Sequence, residues 1–307
     1  MQTIKYIPQF LAFVLFLSLF GACQDVIDVD LEEGETEVVI DAWLNNLSTP
    51  QVIKLRQTSP YFSNVAAPII TGASVIVSDS DGNQFTFLDD DNNGNYVWTP
   101  NPGERFGEIG KSYDLAVRIN ELEYTASTIM NRVPAIDSIT LEDREPELGR
   151  PEGIYAEFFS RDFEGPGDCY WIKTYKNGGF LNKPQEINIA YDAGFTAGSQ
   201  IDGLIFIPPI REAMNRVPDS GDDAVDNNDL PPWAIGDSIN VELHSISEDA
   251  FFYMEQTREQ LTLGDAAIFA EPPANVPTNI SCSDSNEKPQ GFFNVAAVST
   301  LGRVVEL

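Results

Sequence analysis

Short runs of alternating apolar and polar residues constrain the fold of this chain more than any other feature of its sequence. In the clearest run, 112–119, every second residue is a large apolar one. Alternation over about four to eight residues, with Gly, Asn, Asp or Pro between the runs, predicts half-buried antiparallel strands. Six further runs of this kind lie nearby, at 37–44, 51–58, 73–79, 84–88, 95–98 and 123–127. About seven strands in about 90 residues favour an immunoglobulin-like β-sandwich.

A second β-rich domain is predicted after Pro134, where an acidic, proline-bearing stretch, 142–151, marks a boundary. Strand-like runs follow at 154–160, 170–176, 186–191, 204–208, 238–245 and 291–299. The fold class predicted from these patterns is mainly β. It consists of an N-terminal immunoglobulin-like β-sandwich over 37–134, followed by a second β-rich domain over 135–307 with one packed helix.

The one predicted helix covers residues 248–263. Ser247 can cap its first turn, two acidic residues suit the positive end of the helix dipole, and Gly264 can end it. Four apolar residues fall on roughly one face: Ala250, Phe251, Met254 and Leu261. We therefore expect this helix to lie against the second sheet.

The start of the chain has the plan of an export signal. One positive charge precedes an apolar run, 10–20, which leads into a Gly-Ala-Cys site at Cys23 and a polar, acidic segment. A run this short does not cross a bilayer, which needs about 20 residues. We predict a signal peptide over 1–22, lipidation at Cys23 as in bacterial lipoproteins, and a tether over 23–36. An ordinary signal peptide with an incidental cysteine is the alternative.

The charge of the chain excludes one class of partner. With 48 acidic and 18 basic residues, its formal net charge is −30 at pH 7. Such a surface repels phosphate groups, so no nucleic-acid binding is expected. So many carboxylates are present that spacing cannot select a catalytic pair. The only histidine, His244, lies on the polar side of an alternating run, so we predict a surface position and no enzymatic activity.

Two cysteines remain besides Cys23. In an oxidising exported compartment Cys169 and Cys282 can form a disulfide, which we predict, whereas two free buried thiols are the alternative. Neither cysteine belongs to a C-x-x-C motif, so the sequence indicates no zinc or redox site.

A calcium site is the best chemical candidate in the sequence. Four oxygen-bearing side chains repeat the first half of a calcium loop: Asp89, Asp91, Asn93 and Asn95. The twelfth position of the loop, which should be a bidentate Glu, is a proline. An Asn-Gly pair between two strands is also what a hairpin turn requires. We favour the turn and keep calcium as the alternative; the acidic stretch 219–229 is a second, similar candidate.

Three aromatic residues in predicted loops are candidate contacts to a ligand or partner: Tyr61, Phe62 and Trp233. Exposed aromatic side chains often anchor interfaces. Most aromatic residues of a β-sandwich lie in its core, which is the alternative for all three.

Several short motifs follow Cys23 in a fixed order. They are Asp-Val-Ile-Asp-Val-Asp at 25–30, Val-Val-Ile-Asp-Ala-Trp-Leu at 38–44, Ser-Pro-Tyr-Phe at 59–62, Ile-Thr-Gly-Ala-Ser-Val-Ile-Val-Ser-Asp at 70–79, Gly-Asn-Tyr at 94–96 and, near the end, 275–280 and 291–293. This order resembles the Bacteroidota outer-membrane lipoproteins of the domain-of-unknown-function family DUF4249. The resemblance covers essentially the whole chain after the signal and implies an accessory role beside TonB-dependent outer-membrane receptors. It offers no catalytic residues.

Together, these patterns predict a lipid-anchored outer-membrane protein at the cell surface. We expect it to act as an accessory or ligand-binding partner of a TonB-dependent receptor, without a cofactor unless calcium binds. The two alternatives are a structural or adhesive surface lipoprotein and a carboxylate- or calcium-dependent hydrolase.

Overall fold

The computed structural model describes residues 35–60, 65–147, 150–198, 201–216, 232–262 and 275–306. The strands in these ranges are β1 (Val38–Asn45), β2 (Gln51–Gln57), β3 (Ser74–Asp79), β4 (Gln84–Phe87), β5 (Asn95–Trp98), β6 (Ser112–Ile119), β7 (Leu122–Ile129), β8 (Ile136–Arg144), β9 (Gly153–Ser160), β10 (Cys169–Lys176), β11 (Gly179–Phe180), β12 (Asn188–Tyr191), β13 (Ser238–Ile246), β14 (Ser281–Cys282), β15 (Gln290–Ala296) and β16 (Val298–Val304). The helices in these ranges are α1 (Pro208–Glu212) and α2 (Glu248–Thr262), and one 3-10 turn covers Pro184–Glu186.

Two sheets pack face to face around the first apolar core. Sheet A has the strand order β15-β1-β2-β5, and sheet B has the order β14-β7-β6-β3-β4. Strand β1 buries Ile40, Ala42 and Leu44 in this core, whereas Asp41 and Trp43 lie on its opposite face. The predicted mainly β fold with an N-terminal sandwich is confirmed.

Strands from far along the chain complete this sandwich. Strand β15 joins sheet A by pairing in parallel with β1, with Gly291 opposite Ile40, and β14 joins sheet B by pairing with β7. The predicted second domain, 135–307, therefore contributes two strands to the first sandwich, and the described residues from 36 onwards form one compact unit. Prolines and acidic residues indicate a possible domain boundary, but they do not show that strands from the two ends of the chain pair with each other.

A third sheet forms the rest of the fold. Sheet C has the order β11-β10-β13-β16, and β12 also pairs with β10. The hairpin of β8 and β9 packs on one face of sheet C, and the second apolar core lies between them together with α1. Sheet C thus has one face occupied by this core.

The other face of sheet C carries the third core, where α2 packs as predicted. Ala250, Phe251 and Met254 are buried there, whereas Leu261 is exposed. The Ser247 hydroxyl accepts a hydrogen bond from the amide of Ala250 at 3.1 Å, as expected of a helix cap. Trp43 and Phe292 of sheet A reach this core from their own sheet.

Two of the predicted strands differ from the structure. The stretch 204–208 makes only one isolated strand bridge, between Ile205 and Arg161, before α1 begins at Pro208. The stretch 291–299 divides between β15 in sheet A and β16 in sheet C. In the described part of the chain, no helix has both the length and the apolar character that a bilayer crossing needs.

Candidate functional site

Several predicted site residues lie outside the described residues. They are the lipidation site Cys23 with its signal peptide, the aromatic pair Tyr61 and Phe62, and the acidic stretch 219–229. The other predicted site residues can each be placed in the structure.

A cleft opens at the end of the sandwich where β3 and β5 end and β4 and β6 begin. We call it the end cleft; it has a volume of about 410 Å³. Its apolar wall is formed by Phe85 and Trp98, whose ring centroids lie 5.3 Å apart in an edge-to-face arrangement. Both rings contact the fully buried Phe106. Because this wall rests on a core residue, its shape is fixed by the packing of the sandwich.

The charged groups of the end cleft bind one another. The Lys111 ammonium lies 2.8 Å from carboxylate oxygens of both Asp81 and Glu108, and 3.7 Å from Asp79. Hydrogen bonds to Asp81 and Glu108 raise the pKa of Lys111. Burial alone would raise the pKa of Asp79. Hydrogen bonds from Asn83 and from the amide of Asp81 outweigh this effect, so the pKa of Asp79 is lowered. The side chain of Arg105 is exposed at the rim. The end cleft therefore combines an aromatic wall with fixed charges, a composition suited to recognition.

The four residues of the predicted calcium loop form the turn between β4 and β5. The Asp89 carboxylate accepts hydrogen bonds from the amides of Asn93 and Gly94 at 2.9 and 3.0 Å. The side-chain oxygen of Asn93 accepts from the amide of Asn95, whose own oxygen accepts from Arg56. Asp91 lies in the same turn and lines a cleft of about 570 Å³ beside it.

This turn does not close a regular hairpin. Strand β4 belongs to sheet B and β5 to sheet A, with one bridge, Leu88 to Val97, between the two segments. Gly94 has a φ of 70°, and a Cβ there would meet the Arg56 guanidinium and the carbonyl oxygen of Leu55. Glycine is thus required where the chain passes from one sheet to the other.

A different carboxylate group has the geometry for a cation. Carboxylate oxygens of Asp162, Asp192 and Asp202 lie within 4.8 Å of one another. Burial raises the pKa of Asp162, which accepts a hydrogen bond from Tyr170 at 2.6 Å. Three oxygens supply only part of the six to eight that Ca²⁺ takes, so backbone or water oxygens would have to complete the shell. These aspartates are far apart in the sequence, and no spacing singles them out.

Cys169 and Cys282 are free thiols, so the predicted disulfide is wrong. Cys169 lies on β10 of sheet C in the third core, where burial raises its pKa. Cys282 lies on β14 of sheet B, opposite Tyr124 and against the first core. The two thiols belong to different sheets and different cores, which the count of cysteines in an exported chain does not reveal.

Trp233 is a core residue, so its predicted role as a partner contact is wrong. Its side chain is 0% exposed and lies in the second core. The indole Nε1 donates a hydrogen bond to Asn215 at 3.0 Å, and Lys176 lies over the ring at 5.4 Å. The prolines that precede it indicate a loop, but they do not indicate which way the side chain points.

Sheet C carries a polar group on the face that holds the third core. Trp171, Lys173 and Tyr175 of β10 lie there opposite His244, Glu242 and Asn240 of β13, respectively. His244 is only 3% exposed, so its predicted surface position is wrong. Its Nε2 lies 2.9 Å from a Glu242 carboxylate oxygen, which also accepts the Tyr175 hydroxyl at 3.2 Å. Because a carboxylate only accepts, the neutral imidazole donates through Nε2–H.

The burial of His244 makes the stability of the fold depend on pH. Burial and the charge of Lys173 lower the pKa of His244 from 6.5 to about 4, against the opposing effect of Glu242. The unfolded chain therefore binds this proton more tightly, so the free energy of unfolding should fall as the pH drops from 6.5 towards 4. At pH 5 the expected loss is about 2 kcal/mol relative to neutral pH.

His244→Gln is the matched variant, since its amide can still donate to Glu242 but does not titrate. Urea unfolding at neutral pH and at about pH 5 should show a smaller loss for this variant than for the parent chain. Equal losses in the two proteins would contradict the buried, neutral imidazole. NMR gives a direct check, because the chain has 1 histidine and hence a single imidazole to follow.

Comparison with known structures adds little to this geometry. A two-domain fibronectin type III segment of chicken tenascin aligns with 12% sequence identity over 69% of this chain and 90% of its own length, with a TM-score of 0.17. Nothing about fold or function follows from a score this low. No curated protein is significantly similar to this chain in sequence.

The family comparison, in contrast, covers almost the whole molecule. The match extends over residues 24–301, which begin directly after Cys23 and include strands β1 to β15 and the first part of β16. The chain therefore belongs to the family described as Domain of unknown function (DUF4249).

Proposed function

We propose that this protein is a lipid-anchored protein of the outer membrane, exposed at the cell surface, that binds to and assists a TonB-dependent receptor without catalysing a reaction. Cys23 would hold it to the membrane, and the acidic segment after Cys23 would act as a tether. The resemblance to receptor-associated lipoproteins supports the partner, and the end cleft supports a binding role.

The end cleft is the observation that carries the proposal. Its lysine is held by the carboxylates of Asp81 and Glu108, which leaves the aromatic wall and the exposed Arg105 as the groups available to a partner. Arginine and tryptophan are the side chains that most often dominate the binding energy of interfaces. Two exposed apolar residues elsewhere, Val65 and Ile235, lie close in sequence to the candidate contacts Phe62 and Trp233.

Affinity purification from detergent-solubilised membranes tests the proposal. A tagged chain should recover a TonB-dependent receptor, and Arg105→Ala should reduce the recovery about fivefold or more, which corresponds to a loss of about 1 kcal/mol. Arg118→Ala is the matched control, since Arg118 is exposed on β6 and its one ion pair among the described residues is with Glu123 on β7. Cys23→Ser should release the chain from the membrane.

Two results would overturn the proposal. One is the purification of a membrane-bound chain with no receptor under conditions that preserve other outer-membrane complexes, which would favour a structural or adhesive role. The other is resistance to added protease in intact cells together with cleavage in lysed cells. That pattern would mean that the protein faces the periplasm.

A further inference from the structure

The cleft beside the turn between β4 and β5 has an apolar surface that solvent reaches. We call it the side cleft; its volume is about 570 Å³, against about 410 Å³ for the end cleft. Leu88 and Val97, whose backbones pair with each other, line it together with Val52, which lies opposite Val97 on β2. Leu88 is 56% exposed. The side cleft therefore offers a ligand apolar area that is not yet buried.

Trp98 adds a rigid aromatic ring to the side cleft and also lines the end cleft. Its ring is held edge-to-face by Phe85 at 5.3 Å and by Phe106 at 5.5 Å. Phe106 is fully buried, so the core fixes the position of the tryptophan. A ligand that contacts this ring does not have to immobilise a mobile side chain, which lowers the entropic cost of binding.

The polar part of the side cleft has hydrogen-bonding groups that are not used within the described residues. The amide nitrogens of Asn93 and Asn95 donate to no other group there, and the hydroxyl of Thr86 has no hydrogen bond. The carboxylates of Asp90 and Asp91 form no ion pair. Amide nitrogens donate, carboxylates accept and a hydroxyl does both. A matching ligand must therefore present several donors and acceptors close together.

The turn that carries these groups is fixed by its own hydrogen bonds. Asp89 accepts from the amides of Asn93 and Gly94, and Arg56 donates to the side-chain oxygen of Asn95 at 2.8 Å. The two asparagine side chains are thus oriented before a ligand arrives. The Arg56 guanidinium also places a positive charge beside the cleft, opposite in sign to the two aspartates. Because charges of both signs border it, a neutral polar ligand suits the side cleft better than a cation.

We propose that the side cleft binds a neutral saccharide. A sugar ring carries C–H groups on its faces and hydroxyl groups around its rim. It can therefore cover the apolar surface of Leu88, Val97 and Trp98 while its hydroxyls donate to the aspartates and accept from the asparagine amides. The volume of the side cleft lies within the range of ligand pockets. Apart from Trp98, this site is separate from the surface proposed for the receptor.

A glycan array probed with the mature chain in detergent tests the proposal. The chain should bind neutral glycans, and calorimetric titration of the strongest one gives an affinity to compare between variants. Asp91→Ala should weaken this affinity about fivefold or more, since it removes an ionised acceptor for the hydroxyls. Asp137→Ala is the matched control, because Asp137 is an exposed aspartate on β8, outside the cleft, that has no partner among the described residues.

The apolar part of the side cleft has its own variant. Leu88→Ala should weaken glycan binding about threefold, since it removes apolar area that the sugar covers. Leu261→Ala is the matched control, because Leu261 on α2 is 55% exposed and lies outside the cleft. Both leucines are exposed, so both variants should unfold at the temperature of the parent chain.

Three results would overturn the proposal. One is an array on which no neutral glycan is bound, and another is an affinity that neither Asp91→Ala nor Leu88→Ala changes. The third is tighter binding of pentalysine than of any neutral glycan, which would mean that the aspartates select a cation. Arg105→Ala should leave glycan affinity unchanged, and Asp91→Ala should leave receptor recovery unchanged. Either proposal can therefore fail without the other.

Discussion

Replacing Gly291 with alanine is expected to destabilise the protein by about 3 kcal/mol or more. Gly291 lies on β15 directly opposite Ile40. Its φ is 94°, a backbone angle that residues other than glycine rarely adopt. A Cβ at this position would overlap the carbonyl oxygen of Ile40 and approach its carbonyl carbon to 2.7 Å. Both atoms are backbone of β1 and cannot swing aside, so either the two strands separate or the chain stays strained.

The cost should be large because this pairing supports two cores at once. Phe293 and Val295 of β15 enter the first core, and Phe292 enters the third. A shift of β15 away from β1 would loosen both. Thermal unfolding should show the melting temperature lowered by roughly 5 °C or more, because the unfolding entropy is about 2.1 cal/mol/K per residue.

Two other glycines separate the causes. Gly82→Ala combines a φ of 87° with open space, so it should cost only the backbone strain, about 1 kcal/mol. At Gly302 on β16 the nearest atoms would lie 3.6 Å from a Cβ, so alanine there should change stability by about 0.5 kcal/mol at most. If Gly291→Ala behaves like Gly302→Ala, the close parallel pairing of β1 with β15 is wrong.

The strands could be predicted from the sequence where one face of a sheet is polar and the other is apolar. The runs 95–98 and 112–119 coincide with β5 and β6, because alternation in sequence directly reflects alternation between core and outer face. Strand β8 escapes this reasoning, since a register shift between Ile136 and Ser138 interrupts its alternation and its outward residues are acidic. The run 204–206 is apolar enough for a strand, but Pro208 starts a helix two residues later.

The site residues were less predictable, because they depend on pairings between distant segments. Alternation does place Trp171, Lys173 and Tyr175 on one face of a strand, and His244 on the polar side of another. A polar side predicts exposure to solvent, but sheet C is covered on both faces, so this polar group lies half-buried or buried between sheets. The contacts of Lys111 in the end cleft likewise join separate loops.

Replacing Trp233 with alanine is expected to destabilise the protein by about 3–5 kcal/mol, the range for removing a buried aromatic side chain. The indole is fully buried, and its hydrogen-bond partner Asn215 also bonds both the amide and the carbonyl of Ala156 on β9. Loss of the indole would leave a cavity and loosen the contact that attaches this segment to the β8–β9 hairpin. Such a loss should appear in urea unfolding at neutral pH.

Variants nearby distinguish a core role from a surface role for Trp233. Trp233→Phe keeps most of the ring but removes the donor to Asn215, so it should cost about 1–2 kcal/mol. Ile235→Ala is the matched control, because Ile235 is 71% exposed only two residues away and should change stability by about 0.5 kcal/mol at most. Trp233 would be a partner contact after all if its alanine variant unfolded like the parent chain while receptor recovery fell. The core position instead requires the order Trp233→Ala, Trp233→Phe, Ile235→Ala in decreasing loss of stability.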